Sequence, residues 1–167
     1  MKKNKIIIGI FVFVGFFVAG YFFFNKPLSP TPEDLASRKT VEDYFVEHMR
    51  VSSEEANTMA SDGVMLRLSQ NSTLQGIVGN LYYYGYIDDE ERFEILLQTF
   101  TDSTPGKENS IRVGENTIDI FSSYYLNYSM SDEEIADTLL NLAKFEPNFT
   151  QYDYLFMPSK RKTKETP

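Results

Sequence analysis

The groups in this chain with types suited to chemistry are two runs of carboxylates, a cluster of tyrosines and one histidine. Asp88-Asp89-Glu90-Glu91 and Asp132-Glu133-Glu134 hold acids at adjacent positions. A general acid needs a carboxyl group with a raised pKa. Both runs fall where a helix is expected to begin, and the positive end of the helix dipole favours the ionised form. They read as helix starts. The first run also lacks the alternating ligands and distal bidentate Glu of a calcium loop. His48 lies on an apolar helix face and reads as a half-buried helix histidine rather than a base. With no Cys and a single His, Cys-ligated zinc, a thiol nucleophile, a lipoprotein-type lipid attachment and a His-rich metal site within one chain are excluded. There is no Gly-x-Ser-x-Gly elbow and no phosphate loop, and no cofactor is expected. Tyr82-Tyr83-Tyr84-Gly85-Tyr86 offers aromatic faces that stack on sugar rings. A small Cys-free domain also needs such area for its core, and core packing is the first reading.

The elements that must position these groups follow from periodicity. A helix is expected to start near Pro32-Glu33-Asp34, with Val41, Tyr44, Phe45, His48 and Met49 on its apolar face. Ser52-Ser53-Glu54-Glu55 is a capping box for a shorter helix that Asp62-Gly63 closes. Val64 to Leu68 alternates as a strand. Asn71-Ser72-Thr73 turns into a helix with Leu74, Ile77, Val78 and Leu81 on one face, ended by Gly85. The 88–91 acids cap a helix facing inward with Phe93, Leu96, Leu97 and Phe100. Residues 101–115 read as a polar loop turning at Pro105-Gly106, and 117–126 as one β-branched and aromatic strand. Ser131 opens a helix with Ile135, Leu139 and Leu142 on one side, stopped by Pro147. Tyr152, Tyr154 and Phe156 alternate as an edge strand over 150–157.

Residues 6–24 contain no charge and only one polar-tipped side chain, Tyr21. As a helix they would rise about 28 Å, close to the hydrocarbon thickness of a bilayer. Lys2, Lys3 and Lys5 precede the run, so a single transmembrane helix with a cytoplasmic N-terminus is expected. The bulky Tyr-Phe-Phe-Phe end argues against signal-peptide cleavage. The organisation reads as a cytoplasmic stub (1–5), a transmembrane helix (6–24), a Pro-rich spacer (25–32), a helical segment (33–63), an α+β domain (64–157) and a basic, disordered tail (158–167). Four of the 16 basic residues lie in residues 2–26 and four in 160–164, leaving eight against 23 acids between them, a net of −15. So acidic a surface repels phosphate backbones, and nucleic acid is not an expected partner.

The order from Val64 onward (strand, two helices, strand, helix) is similar to the LysM plan. Its spacing resembles the LysM-like segment of the endolytic murein transglycosylase MltG (YceG-like) family. The resemblance rests on residues 68–77 (Leu-Ser-Gln-Asn-Ser-Thr-Leu-Gln-Gly-Ile), on Tyr84-Gly85-Tyr86-Ile87, and on Ser122-Ser123-Tyr124-Tyr125-Leu126 followed by Met130-Ser131 and a Glu-Ile-x-x-x-Leu helix. It covers 64–142 and extends to an N-terminal anchor. Ser69, Asn71 and Ser122 stand where the family has Pro, Gly and Gly, and Asn tolerates the left-handed turn that Gly would take. The resemblance implies an α+β fold, a LysM-like strand-helix-helix-strand domain with extra flanking helices. It also implies peptidoglycan glycan contacts at Asn71, Ser72 and Thr73, residues that equally suffice as a turn and helix cap. The family's catalytic half, with its glutamate acid, has no counterpart in 145–167.

The expectation is a membrane-anchored, outward-facing, non-catalytic module that engages peptidoglycan or a wall-synthesis protein. The alternatives are a protein-interaction ectodomain without sugar affinity, and a truncated or split transglycosylase.

Overall fold

Strand β1 (Val64–Leu68) is the element the rest of the domain packs around. The computed structural model describes residues 35, 37–146 and 154–159. β1 pairs antiparallel on one side with β4 (Ser122–Leu126) and on the other with β6 (Phe156–Pro158). β5 (Lys144–Phe145) extends the sheet beyond β4, giving the order β5-β4-β1-β6. The alternation of β1 turns Val64, Leu66 and Leu68 to one face, and all three are fully buried. They share a single apolar cluster with Ile77, Val78 and Leu81 of α3 (Leu74–Tyr83), Phe93 and Leu97 of α4 (Glu90–Thr99), and Ile135 and Leu139 of α5 (Asp132–Asn141).

The opposite face of the β1–β4 pair is polar and tied down. Arg67 lies across from Ser123. Glu146 spans both, one carboxylate oxygen 3.4 Å from Arg67 Nη2 and the other accepting from Ser123 Oγ at 2.6 Å. Arg67 N also donates to Leu155 O at 2.8 Å. A nearly buried arginine is held here among three separate stretches of chain.

The fold class expected from the sequence is corrected in two respects. No helix among the described residues is long and apolar enough to cross a membrane, and residues 6–24, where a transmembrane helix was expected, lie outside the described residues. The stub 1–5, the spacer 25–32, the helix start near 32–34, Tyr152 and residues 160–167 of the expected 158–167 tail lie outside them as well, whereas Pro158 ends β6 and Ser159 N donates to Gly63 O at 3.2 Å. The sheet also has four strands, and a separate hairpin, β2 (Ser110–Val113) with β3 (Asn116–Asp119), stands between α4 and β4. The described residues therefore form an α+β domain of five α-helices and six strands, not a two-strand LysM-like core.

The hairpin lies partly inside the expected polar loop. Its signal is Ile111 and Val113 alternating ahead of the two-residue Gly114-Glu115 turn. The single strand expected over 117–126 is broken at Phe121, which takes a left-handed φ of 56°. The break lets Tyr124 run its hydroxyl back to Asp119 O at 2.6 Å.

Before β1, Thr40 and Asp43 form a capping box for α1 (Val41–Tyr44), which continues as a π-helical turn over Phe45–Met49. The wider turn carries His48 off the apolar stripe. It is exposed, against the expectation of half-burial, and lies 4.4 Å from the Tyr44 ring. Ser52 caps α2 (Ser53–Ala60) by accepting from Glu55 N. Val41, Tyr44, Phe45 and Ala56 enter the same core as β1. Arg38 fixes the chain ahead of α1: it lies 3.8 Å over the Tyr82 ring and donates to Ile87 O at 3.0 Å and to Asp88 at 3.1 Å. At the other end of the domain Leu142, expected on the apolar side of α5, is exposed, because the helix has ended at Asn141.

Candidate functional site

Three connections converge beside the start of β1. The first is Ser61-Asp62-Gly63, where α2 ends. Gly63 takes a φ of +83°, and a Cβ there would lie 2.6 Å from Leu126 O. No other residue lets α2 turn so tightly into β1 against the β4 backbone. The second is Asn127-Tyr128-Ser129, leaving β4. Asn127 Oδ1 accepts from Ser129 N and Oγ at 2.9 and 2.5 Å, an Asx turn. The third is Tyr86, after α3. Together with Val41 and Glu42 of α1 they enclose an open cleft of about 580 Å³, within the roughly 300–1,000 Å³ of small-ligand sites.

The tyrosines give the cleft its character. Tyr86 is buried and forms the floor, stacked on Tyr128 with ring centroids 4.7 Å apart and an angle of 14°. Tyr125 and Tyr128 remain 42% and 48% exposed at the mouth. Hydrogen bonds hold both rings. Tyr125 donates to Asp62 O at 3.0 Å and accepts from Asn127 Nδ2 at 3.2 Å. Tyr128 accepts the Val41 N–H at 2.8 Å, taking one of the orphan donors of the α1 N-terminus. Burial pushes the Tyr128 phenol up to about 12, opposed by the Val41 N–H and reinforced by Glu42 and Asp43. Burial likewise pushes Tyr86 far above the ordinary phenol value, with Tyr128 adding to the effect. Both are neutral hydroxyls at physiological pH. Glu42 and Asp62 are the charged residues of the lining, which includes no Lys, Arg or His.

Asn71, Ser72 and Thr73, the glycan contacts implied by the resemblance, are not among the residues lining this cleft. Their polar atoms serve the local turn. Ser72 Oγ accepts from Ser69 N at 2.9 Å, Asn71 N donates to Ser69 Oγ at 3.4 Å, and Thr73 caps α3 by accepting from Gly76 N at 3.1 Å. The tyrosine cluster divides. Tyr84 packs edge-on against Tyr44 and Phe156 in the core and Tyr86 floors the cleft, while Tyr83 is exposed.

The carboxylates at helix starts lie outside the lining too, and they differ from one another. Glu133 follows the expectation, its carboxyl lowered by its own backbone N–H and by Ser131. Asp132 departs from it. Burial raises its carboxyl although Arg92 stands 3.5 Å away. Among the described residues no group of three or more His, Asp and Glu is arranged to hold a metal ion.

Sequence reasoning thus missed Glu42, Asp62, Tyr125, Asn127, Tyr128 and Ser129. One signal was present: Asn127-x-Ser129 after a tyrosine-rich strand is an Asx-turn pattern that presents aromatics. The convergence with Asp62 and Glu42 comes from tertiary structure and has no local signature. No family model, no curated protein and no solved structure matches the chain.

Proposed function

We propose that this domain is a non-catalytic glycan-binding module that engages peptidoglycan strands. The observation that carries the reading is the pair of exposed tyrosines, Tyr125 and Tyr128, at the mouth of a cleft whose polar side chains are short oxygen and amide groups. Aromatic faces cover the apolar faces of sugar rings, while carboxylate, amide and hydroxyl groups meet the ring hydroxyls. Stacked and hydrogen-bonded tyrosines lose little freedom on binding, which favours affinity for a weakly held polymer. The resemblance to a wall-acting family supports the choice of peptidoglycan among glycans. An outward location belongs to the same proposal and rests on Lys2, Lys3 and Lys5 ahead of the apolar run 6–24.

The test is co-sedimentation of the full chain, in mild detergent, with insoluble peptidoglycan. The wild-type chain is expected to sediment and Tyr125→Ala to lose about ten-fold in affinity, an ordinary cost for an exposed aromatic contact. Asn71→Ala and Ser72→Ala should sediment as the wild type does. No retention over an unrelated acidic protein, or full retention of Tyr125→Ala, overturns the reading.

A second reading is favoured by the charge of the lining: Glu42 and Asp62 are acids with no cation beside them in the cleft wall. A basic protein partner would dock there without sugar affinity. Such a complex would weaken steeply with salt, because charge-driven docking is screened, whereas ring stacking would persist.

A further inference from the structure

Glu42 and Asp62 come from different elements, the first turn of α1 and the end of α2, and both are among the residues lining the tyrosine-rich cleft. Five ion pairs form among the described residues, and neither carboxylate is in one. The Asp62 backbone carbonyl is also occupied, accepting from Tyr125 Oη and from Ser159 Oγ at 2.8 Å. The residue is thereby fixed at the cleft rim. An anion would be repelled from such a site. A fully neutral sugar would meet two carboxylates without neutralising either.

We propose that the sugar this cleft selects carries a free ammonium group, as an amino sugar without its N-acetyl cap does. This deepens the glycan reading and rests on it. An ammonium has three N–H donors and no acceptor, matching a site rich in carboxylate and phenol oxygens. It also gains from the faces of Tyr125 and Tyr128, since a cation over an aromatic ring is held by the ring quadrupole. An acetamido group in the same position would bring a carbonyl toward two carboxylates and offer one N–H where the amine offers three. The cleft, and not the acids by themselves, makes the selection: rings position the sugar, and charge chooses its substituent.

The experiment titrates the full chain in mild detergent with two chito-oligosaccharides of equal length, one fully N-acetylated and one fully de-acetylated. It is run in slightly acidic buffer, where the amines are protonated, and followed by calorimetry. The amino form is expected to bind at least ten-fold more tightly. That advantage, read as the ratio of the two affinities, should vanish in a Glu42→Gln, Asp62→Asn double variant. A Glu90→Gln, Glu91→Gln variant, with the same loss of charge on the surface of α4, should keep the full advantage. Equal affinity for the two oligosaccharides overturns the inference and leaves the glycan reading standing. So does an advantage lost equally in both charge variants. Absence of binding to either oligosaccharide overturns both.

Discussion

Replacing Gly63 by alanine tests whether the close approach of α2 to β4 builds the cleft. Two costs add at this position. An alanine held at a φ of +83° sits in the left-handed region, at about 1–2 kcal/mol. Its methyl would also lie 2.6 Å from Leu126 O and 2.7 Å from the Tyr125 ring. The ring end can swing, but the carbonyl belongs to the ladder with β1, so the backbone must shift, at about 1–3 kcal/mol for overpacking. Gly63→Ala should therefore lose about 2–5 kcal/mol in total. Gly85 supplies the control. It has a φ of +74°, and a Cβ added there would meet nothing within 4 Å, so Gly85→Ala carries only the conformational cost. Urea denaturation followed by far-ultraviolet circular dichroism gives both midpoints. A Gly63→Ala domain as stable as Gly85→Ala would refute the argument, because the contact would then contribute nothing.

Glu146→Ala removes the carboxylate that spans Arg67 and Ser123. It should cost about 1–3 kcal/mol, the range for depriving largely buried polar groups of a partner, seen as a lower thermal midpoint; an unchanged midpoint contradicts that role. Tyr84 and Tyr128 have phenols raised from 10.0 to about 12, in both cases chiefly by burial. The folded state therefore holds their protons more tightly than the unfolded chain does. This contribution is complete below pH 10 and is lost as pH rises through about 12. In difference titrations against Tyr84→Phe and Tyr128→Phe, the absorbance change belonging to each phenol should coincide with loss of circular dichroism in that window, and its appearance near pH 10 with the fold intact would contradict the assignment.

The legible parts of this fold were those with local causes. Thr73, Asp89 and Ser131 cap the helices they were expected to open, and β1 falls on its alternating run. What escaped were features settled at a distance or by one residue. Phe121 breaks an apparently continuous strand through a single left-handed backbone angle. β5 is two residues long and is defined only by its pairing with β4. The cleft was least legible, because Glu42, Asp62 and Tyr128 are neighbours only after α1, α2 and β4 have packed. Tyr82 to Tyr86 drew attention as a run, yet Tyr86 alone of them lines the cleft, and the aromatics at its mouth, Tyr125 and Tyr128, lie far outside that run.

The central position of β1 bears on when this domain can fold. Val64 pairs with Leu126 on one side and with Pro158 on the other, so the strand emerges from the ribosome long before either neighbour. Loop closure over such separations slows folding. Until residues 156–158 arrive, β1 has an open hydrogen-bonding edge, a surface prone to pairing with other chains. A nascent chain interrupted before Phe156 would carry the helices and the hairpin but expose that edge. Such chains are the ones expected to aggregate or to call on chaperones.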